Sequence, residues 1–460
     1  MSRPDVWRVL LFVVALAGCE RQIDVAAVSM DSFADASDVR AIDHVVEGIV
    51  DSPSGDGREA YCMGRGPPIL LDQRGEQLCA GKLAEQTFRY AVCSCGDFDT
   101  GRLTTRSFEG TISSEAGAAV AVNGALTSSG QMDVGGSLFV SGGDSLILGE
   151  NAAVRGDLRL GTEARTWGSA RVHRDAWIEG GVRGFGSLHV QRDVYLLPGG
   201  SREGVSGAIH ESNFVIDPPC PCNPDQRFDI QAMVAGAAIA NHNADIGLDP
   251  GELSDRDRSY ERELPCGRFY LDRVNIRGGE VTLRVPARTA LFIGNNFEVT
   301  AGVLRIDTGA EGELDLFVAG DLRLEAWELP AASSRPAGVR VYVAGSRVSL
   351  AGVNPERTTF VGNLYAPNAT VQVRSLFGFE VRGSIFAGRL VTDDIDVHYD
   401  RSILDVGGDC PNPPAGCVDW RDCRSTESCI AGRCGSCEAD GDCAAPLACQ
   451  PDGRCEPLLI

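Results

Sequence analysis

Asp157, Asp175 and Asp193 recur 18 residues apart, and an alternating strand-like triplet follows, as in Leu158-Arg159-Leu160 and Val194-Tyr195-Leu196. If the coils of one repeat stack, these carboxylates lie about 5 Å apart. That overlaps the roughly 5–5.5 Å separation used by retaining glycosidases, so glycan cleavage is the chemistry the spacing could support. The competing role is structural. Asp is a common turn former, all three sit at a corner, and Arg174 and Arg192 precede two of them. Lys82 is the only lysine, so none is at hand as a base. Turn chemistry is the expected role and catalysis the weak alternative.

Two oxygen-rich stretches could hold an ion. One comprises Asn241, Asn243, Asp245, Asp249, Glu252, Asp255 and Asp257; the other Asp393, Asp394 and Asp396. Neither keeps the ligand order of an EF-hand loop, so solvated loops are expected and calcium is the weaker reading. Arg155-Gly156-Asp157 reads as a corner Gly-Asp rather than an adhesion tripeptide. His398 reads as a packed, hydrogen-bonded end-cap residue. No zinc-protease, P-loop, serine-hydrolase or dinucleotide motif occurs. The expectation is no catalytic residue, no structural metal and no cofactor.

The elements that would position these residues are short strands. Val122, Val134, Val154, Val172 and Val190 head similar blocks, with Gly or Asp at a corner and period-two patterning after it. A second series follows at Ile293, Val318, Val343, Val361 and Val381. Repeats of 18–25 residues with corner glycines predict an all-β fold, a β-solenoid. Ten coils would make a rod about 50 Å long. Between Pro198 and Cys266 the period changes. Asn223-Pro224-Asp225-Gln226 predicts a helix start, and Ile230, Met233, Val234, Ala237 and Ala238 keep helical spacing. One inserted helix near 223–242 is expected to pack on a face or an end of the rod.

The 460-residue chain carries 42 Lys+Arg against 64 Asp+Glu, a net charge of −22. That excludes nucleic acid as an expected partner. Hydrophobic residues at 43% suffice for a packed core. Residues 20–57 are acid-rich and poor in aromatics, and read as a solvated tether.

The N-terminus has a basic start and a short apolar run ending in Leu16-Ala17-Gly18-Cys19. This resembles the lipobox of bacterial lipoproteins, which implies residues 1–19 as signal peptide and lipobox, with lipid on Cys19. Glu20 rather than Asp follows, and the resemblance then implies the outer membrane. Multiple acyl chains would anchor the protein stably.

Of 17 cysteines, 16 remain for disulfides in such an oxidising compartment. Cys62, Cys79, Cys93 and Cys95 suggest a four-Cys module over 58–105. Cys220, Cys222 and Cys266 bracket the insert, and pairing Cys410 with one of them would make both counts even. Cys417, Cys423, Cys429 and Cys434 form one tail unit; Cys437, Cys443, Cys449 and Cys455 form the next. Each unit has too little apolar surface to fold without bridges. The tail, 406–460, loosely resembles Dickkopf-type modules and more closely the Cys-rich tails of bacterial surface lipoproteins.

Pro265-Cys266-Gly267-Arg268-Phe269-Tyr270, Asn363-Leu364-Tyr365-Ala366-Pro367-Asn368-Ala369 and Val397-His398-Tyr399-Asp400 resemble a bacterial surface domain of unknown function. It occurs in lipoproteins and pilus-assembly-associated proteins, with coils distantly similar to bactofilins. The resemblance covers about Pro219 to Leu404, and Phe88 to Cys95 resembles the front half of the same lipoproteins. It implies a β-helical surface protein, with no established activity and no active site to carry over.

The expected architecture is thus a solenoid over 106–405 flanked by small disulfide-rich modules. The expected function is a non-catalytic, outer-membrane-anchored rod, structural or adhesive. The alternative is a polysaccharide-binding or polysaccharide-degrading β-helix, which an exposed aromatic row on one coil face would favour. The expected partners are the membrane, through the lipid, and a surface glycan or protein. Capping modules at the ends would argue against filaments.

Overall fold

The computed structural model describes residues 87–108, 118–143, 145–328, 335–352 and 358–405, with Cys62 and the backbone of six short strands outside those ranges. The lipobox, the tether, Cys79, Cys410 and the tail side chains lie outside the described residues. In the tail, two antiparallel pairs set Cys429 opposite Cys434 and Cys449 opposite Cys455.

Three-residue strands repeat one burial pattern. Leu138–Val140, Leu158–Leu160 and Ala176–Ile178 each bury the outer two residues and leave the middle one half-buried. Period-two alternation sends the outer two into the core and the middle one outward. The coils stack in parallel, with Leu158 beside Leu138 and Ala176 beside Leu158, and in the second half of the chain the first strand of a coil lengthens to five or six residues, as in Arg288–Ile293 and Glu313–Val318. Corners bring backbones close enough to need glycine. A Cβ on Gly156 would lie 2.4 Å from Ser137 Oγ. About twelve coils stack this way, a rod of about 60 Å.

The stacking order is not the chain order. Sequence reading predicts a rod that starts at residue 106, is interrupted and then resumes. Instead the coil built from Val92–Ser94 and Phe98–Ser107 lies in the middle of the stack, between Phe379–Tyr399 on one side and the coil beginning Val120–Val122 on the other. From that coil the chain builds outward to Val205–Glu211 at one end. It then returns to the middle, where Cys220 and Cys222 bond Cys93 and Cys95. The second half starts at the opposite end with Gly267–Leu271 and builds back until Phe379–Tyr399 meets Phe98–Ser107. The Phe108 N–H donates to Tyr399 O (2.8 Å), and the Tyr399 hydroxyl donates to Phe88 O (2.7 Å). One half thus ends at a seam where the other begins.

Two expectations about cysteine change with this order. Cys93 and Cys95 belong to a solenoid coil, so the rod reaches into the range 58–105 assigned to a separate module. All three central cysteines are taken, Cys266 by Cys62, which leaves none for Cys410.

The inserted helix, α1 (Ile230–Ile239), forms later than predicted. The Asn223 N–H does donate to Gln226 Oε1 (3.4 Å), but this pair opens only the 3-10 turn Pro224–Gln226. Arg227 is then extended, donating to Cys222 O (2.7 Å) and Asn368 Oδ1 (2.6 Å), and Phe228 meets the Tyr365 ring. These tertiary contacts interrupt the helix, and Asp229 caps it anew by accepting from the Ala232 N–H (2.9 Å). The helix buries Ile230, Val234 and Ala237 on the coils, as the spacing predicts, whereas Met233 is half-buried and Ala238, which the same spacing turns inward, is exposed.

Both ends of the stack are finished. At the start, the open edge of Gly267–Leu271 pairs with side chains: the Arg268 N–H donates to His242 Nδ1 (3.0 Å) and the Tyr270 N–H to Asn243 Oδ1 (2.9 Å). At the other end Val205–Glu211 has a bulged register, and Arg202 pairs with Glu211. Bulges and charges are devices that discourage edge pairing.

Candidate functional site

One outward-facing column runs through the whole stack, on the first strand of each coil and, in most coils, at its next-to-last residue. It reads Tyr270, Phe292, Phe317, Tyr342, Tyr365, Phe386, Cys93, Ala121, Phe139, Arg159, Trp177, Tyr195 and His210. Most of these residues are aromatic. Their neighbours on the same strand point inward into an aliphatic core.

The column has two parts. From Phe292 to Phe386 it is buried, roofed by α1, Phe228 and the 3-10 turn Pro336–Gly338. Phe292, Phe317 and Tyr342 stack at 4.8 and 4.7 Å beneath it. Burial pushes the Tyr342 and Tyr365 phenols well above their ordinary range. Past the seam the cover ends with Tyr90, whose ring lies 5.9 Å from that of Phe139. Phe139, Arg159, Trp177 and Tyr195 are half-buried and His210 is exposed. The Arg159 guanidinium lies 5.7 Å from the Phe139 ring and 4.8 Å from the Trp177 ring. Trp177 and Tyr195 stack at 5.2 Å and 8°, and Tyr195 and His210 at 5.3 Å and 26°. These are offset stacks, which leave part of each ring open.

Both sides of this row are bounded. On the side where the strands begin lie Asp157, Asp175 and Asp193. On the other, the chain returning from the end of the rod runs down the corner: the Ser212 N–H donates to Leu196 O (3.0 Å), Ile216 to Glu179, and Cys220 to Asn123 Oδ1 (2.9 Å). The result is a shallow trough floored by rings.

The three aspartates are neighbours, as their spacing predicts, and one oxygen of each, Oδ1, is engaged within the stack. The Asp175 N–H donates to Asp157 Oδ1 (3.4 Å), the Asp193 N–H to Asp175 Oδ1 (3.0 Å), and His210 Nε2 lies 2.8 Å from Asp193 Oδ1. Each carboxylate tacks its coil to the next. Other corners use the same device: Asp97 accepts from Ala125, Asn296 from Asp321, and Asp321 from Ser346. This recurrence supports the turn reading over the catalytic one.

Burial raises the Asp157 pKa, opposed by Arg174 and Arg159. A carboxyl raised on folding favours the fold below its unfolded pKa and loses that contribution as pH rises through the folded value. Asp157→Asn keeps the acceptor oxygen and removes the buried charge. The variant is therefore expected to melt no lower than the parent at pH 7. Its advantage should shrink as pH falls through the carboxylate range, read by thermal melts at several pH values.

The acidic cluster near the C-terminus of the rod serves the seam. Asp394 pairs with Arg102 (2.8 Å), Asp396 with Arg106 (3.0 Å), and Arg389 with Asp99 (2.8 Å), across separations of 290–292 residues. His398 Nε2 lies 3.4 Å from Asp396 Oδ1, so it sits among the seam's charges. The other oxygen-rich stretch caps the rod: Asn243 bonds both backbone groups of Tyr270, Asp249 accepts from the Gly251 N–H, and Asp255 pairs with Arg277. Among the described residues no cluster of His, Cys, Asp and Glu is arranged as a metal site.

The aromatic row was missed in the sequence because its members are spread among Trp, Tyr, Phe, His and Arg. The signal that finds it is the middle residue of each strand triplet following a corner.

Residues 222–406 match a domain of unknown function, DUF7305. The match starts at Cys222 and ends just after the 3-10 turn Arg401–Asp405, so it takes in the roof and the half of the rod that closes at the seam. The coils from Val92 to Glu211, with the open trough, lie outside it. No curated protein and no solved structure matches the chain.

Proposed function

We propose that the chain is a non-catalytic rod displayed outside the cytoplasm, structural or adhesive, and anchored by lipid on Cys19 in an outer membrane. The observation that carries this reading is the double bridge from Cys93 and Cys95 to Cys220 and Cys222 at the midpoint of the stack. Paired structural disulfides belong to oxidising compartments. The finished ends and the engagement of the corner aspartates also favour a discrete rod over a filament or an enzyme. The lipobox-like run and the Cys-rich tail resembling those of surface lipoproteins agree with the same placement. A polysaccharide-binding role is the second reading, and the open aromatic row favours it.

Negative-stain images of the chain from residue 19 onward, with Cys19→Ser, are expected to show separate rods at every concentration. Filaments that lengthen with concentration would overturn the discrete-rod reading. In cells, labelled palmitate is expected to enter the wild type and not the Cys19→Ser variant; equal labelling would remove the anchor.

A further inference from the structure

The geometry points to the unroofed part of the column as a binding trough for a linear, uncharged glycan lying along the rod axis. This inference rests on the adhesive reading above and names its ligand class.

Three observations carry it. First, the column has the same outward geometry throughout, yet its occupants change where the roof ends. The roofed part is Phe and Tyr. The open part holds Trp177, Tyr195, His210 and Arg159, side chains with an apolar body and a polar tip. Such groups suit a surface that must meet both water and a ligand of mixed character. Second, the row is periodic and straight: four rungs from Arg159 to His210 span about 14 Å. It is only one residue wide, with the Asp157–Asp175–Asp193 corner on one side and the returning segment on the other. That shape fits a single polymer strand better than the face of a globular protein. Sugar rings present C–H faces that lie on aromatic rings and hydroxyls that reach flanking carboxylates and ring nitrogens.

Third, the charge excludes the commonest acidic alternatives. The wall is lined by Asp157, Asp175, Asp193 and Glu179, and the whole chain carries −22. Arg159 lies between two rings and Arg174 is 3.5 Å from Asp157. Polyuronates would meet net repulsion. A neutral polymer would not.

The test is sedimentation of the same Cys19→Ser protein with microcrystalline cellulose and with chitin, and affinity electrophoresis in polygalacturonate. The protein is expected to bind at least one neutral polymer, with little sensitivity to salt. Trp177→Ala combined with Tyr195→Ala is expected to weaken that binding at least about tenfold, the equivalent of 1.4 kcal/mol. Trp177→Tyr should retain most of it. Trp167→Ala with Phe185→Ala removes the exposed ring pair at another corner, 59% and 89% exposed, and is expected to change nothing. Unaltered melting temperatures establish that the variants fold. Tyr195→Ser alone provides a milder substitution. Three results would overturn the inference: no binding to any neutral polymer, equal binding by the double variant, or binding confined to polygalacturonate. Separate rods in the microscope together with such a result would sink the glycan site and leave the rod reading standing.

Discussion

Removing both bridges at the middle of the rod, by changing Cys93, Cys95, Cys220 and Cys222 to alanine, is expected to cost about 4–5 kcal/mol of stability. Removing either one alone should cost about 1 kcal/mol or less. The bridges close loops of the same length, 127 residues in sequence separation. Tying a loop of that size removes about 5 kcal/mol worth of freedom from the unfolded chain. Once one bridge is closed, however, its neighbour two residues away closes almost nothing further. The two are therefore strongly non-additive, and the second acts as a reserve. Urea denaturation of the two single-bridge variants and the bridge-free variant measures this directly. If each single deletion costs as much as the pair, the bridges act by holding local structure and the loop-entropy account fails. Loss of both is also expected to act first at the seam, because the returning segment would then be held at that point only by hydrogen bonds such as those of Asn123 to Cys220.

Replacing Arg340 by methionine is expected to cost about 3–5 kcal/mol, the usual effect of stripping one partner from a buried ion pair. The guanidinium is fully buried under the roof. Its Nε donates to Asp315 Oδ1 (2.5 Å), its Nη2 to Asp315 Oδ2 and Glu313 Oε2 (both 3.0 Å), and its Nη1 to Ala337 O (3.0 Å). Burial opposes the charge, and Asp315, then Glu313, outweigh it, so the group stays protonated well above its ordinary range. An arginine whose folded pKa is raised contributes at all pH values below its unfolded pKa, which covers every accessible condition. Methionine would leave Asp315 buried without a counter-charge. Arg340→Met with Asp315→Leu removes both charges and is expected to recover most of the loss. Denaturation of the parent, the two singles and the double closes the cycle. A double variant as weak as the Arg340 single would show that the cost arises from the Ala337 contact or from packing.

Much of the coil was legible because its causes are local. Alternating Val and Leu, with Gly or Asp at corners, dictates three-residue strands and tight turns whatever their neighbours. The repeat length then sets the register, so Asp157, Asp175 and Asp193 had to fall in one line once the coils stacked. The helix boundary was less legible. Asn223 and Gln226 make the local contact their types allow, but Arg227 and Phe228 find partners more than a hundred residues away and postpone the helix to Ile230.

What the sequence by itself determined is the kind of object, a stack of parallel coils with a helix laid against it, because period-two patterning and close-packed corners are properties of short segments. Only the tertiary structure decided the order of the coils. A parallel strand edge offers the same backbone groups to any other coil, so nothing local says which coil follows which. That choice rests on contacts between distant residues: Arg102 with Asp394, Arg106 with Asp396, Tyr399 with Phe88, and Cys93 and Cys95 with Cys220 and Cys222. The same order decides which outward rings lie under the roof and which face water, and so where a ligand can be met.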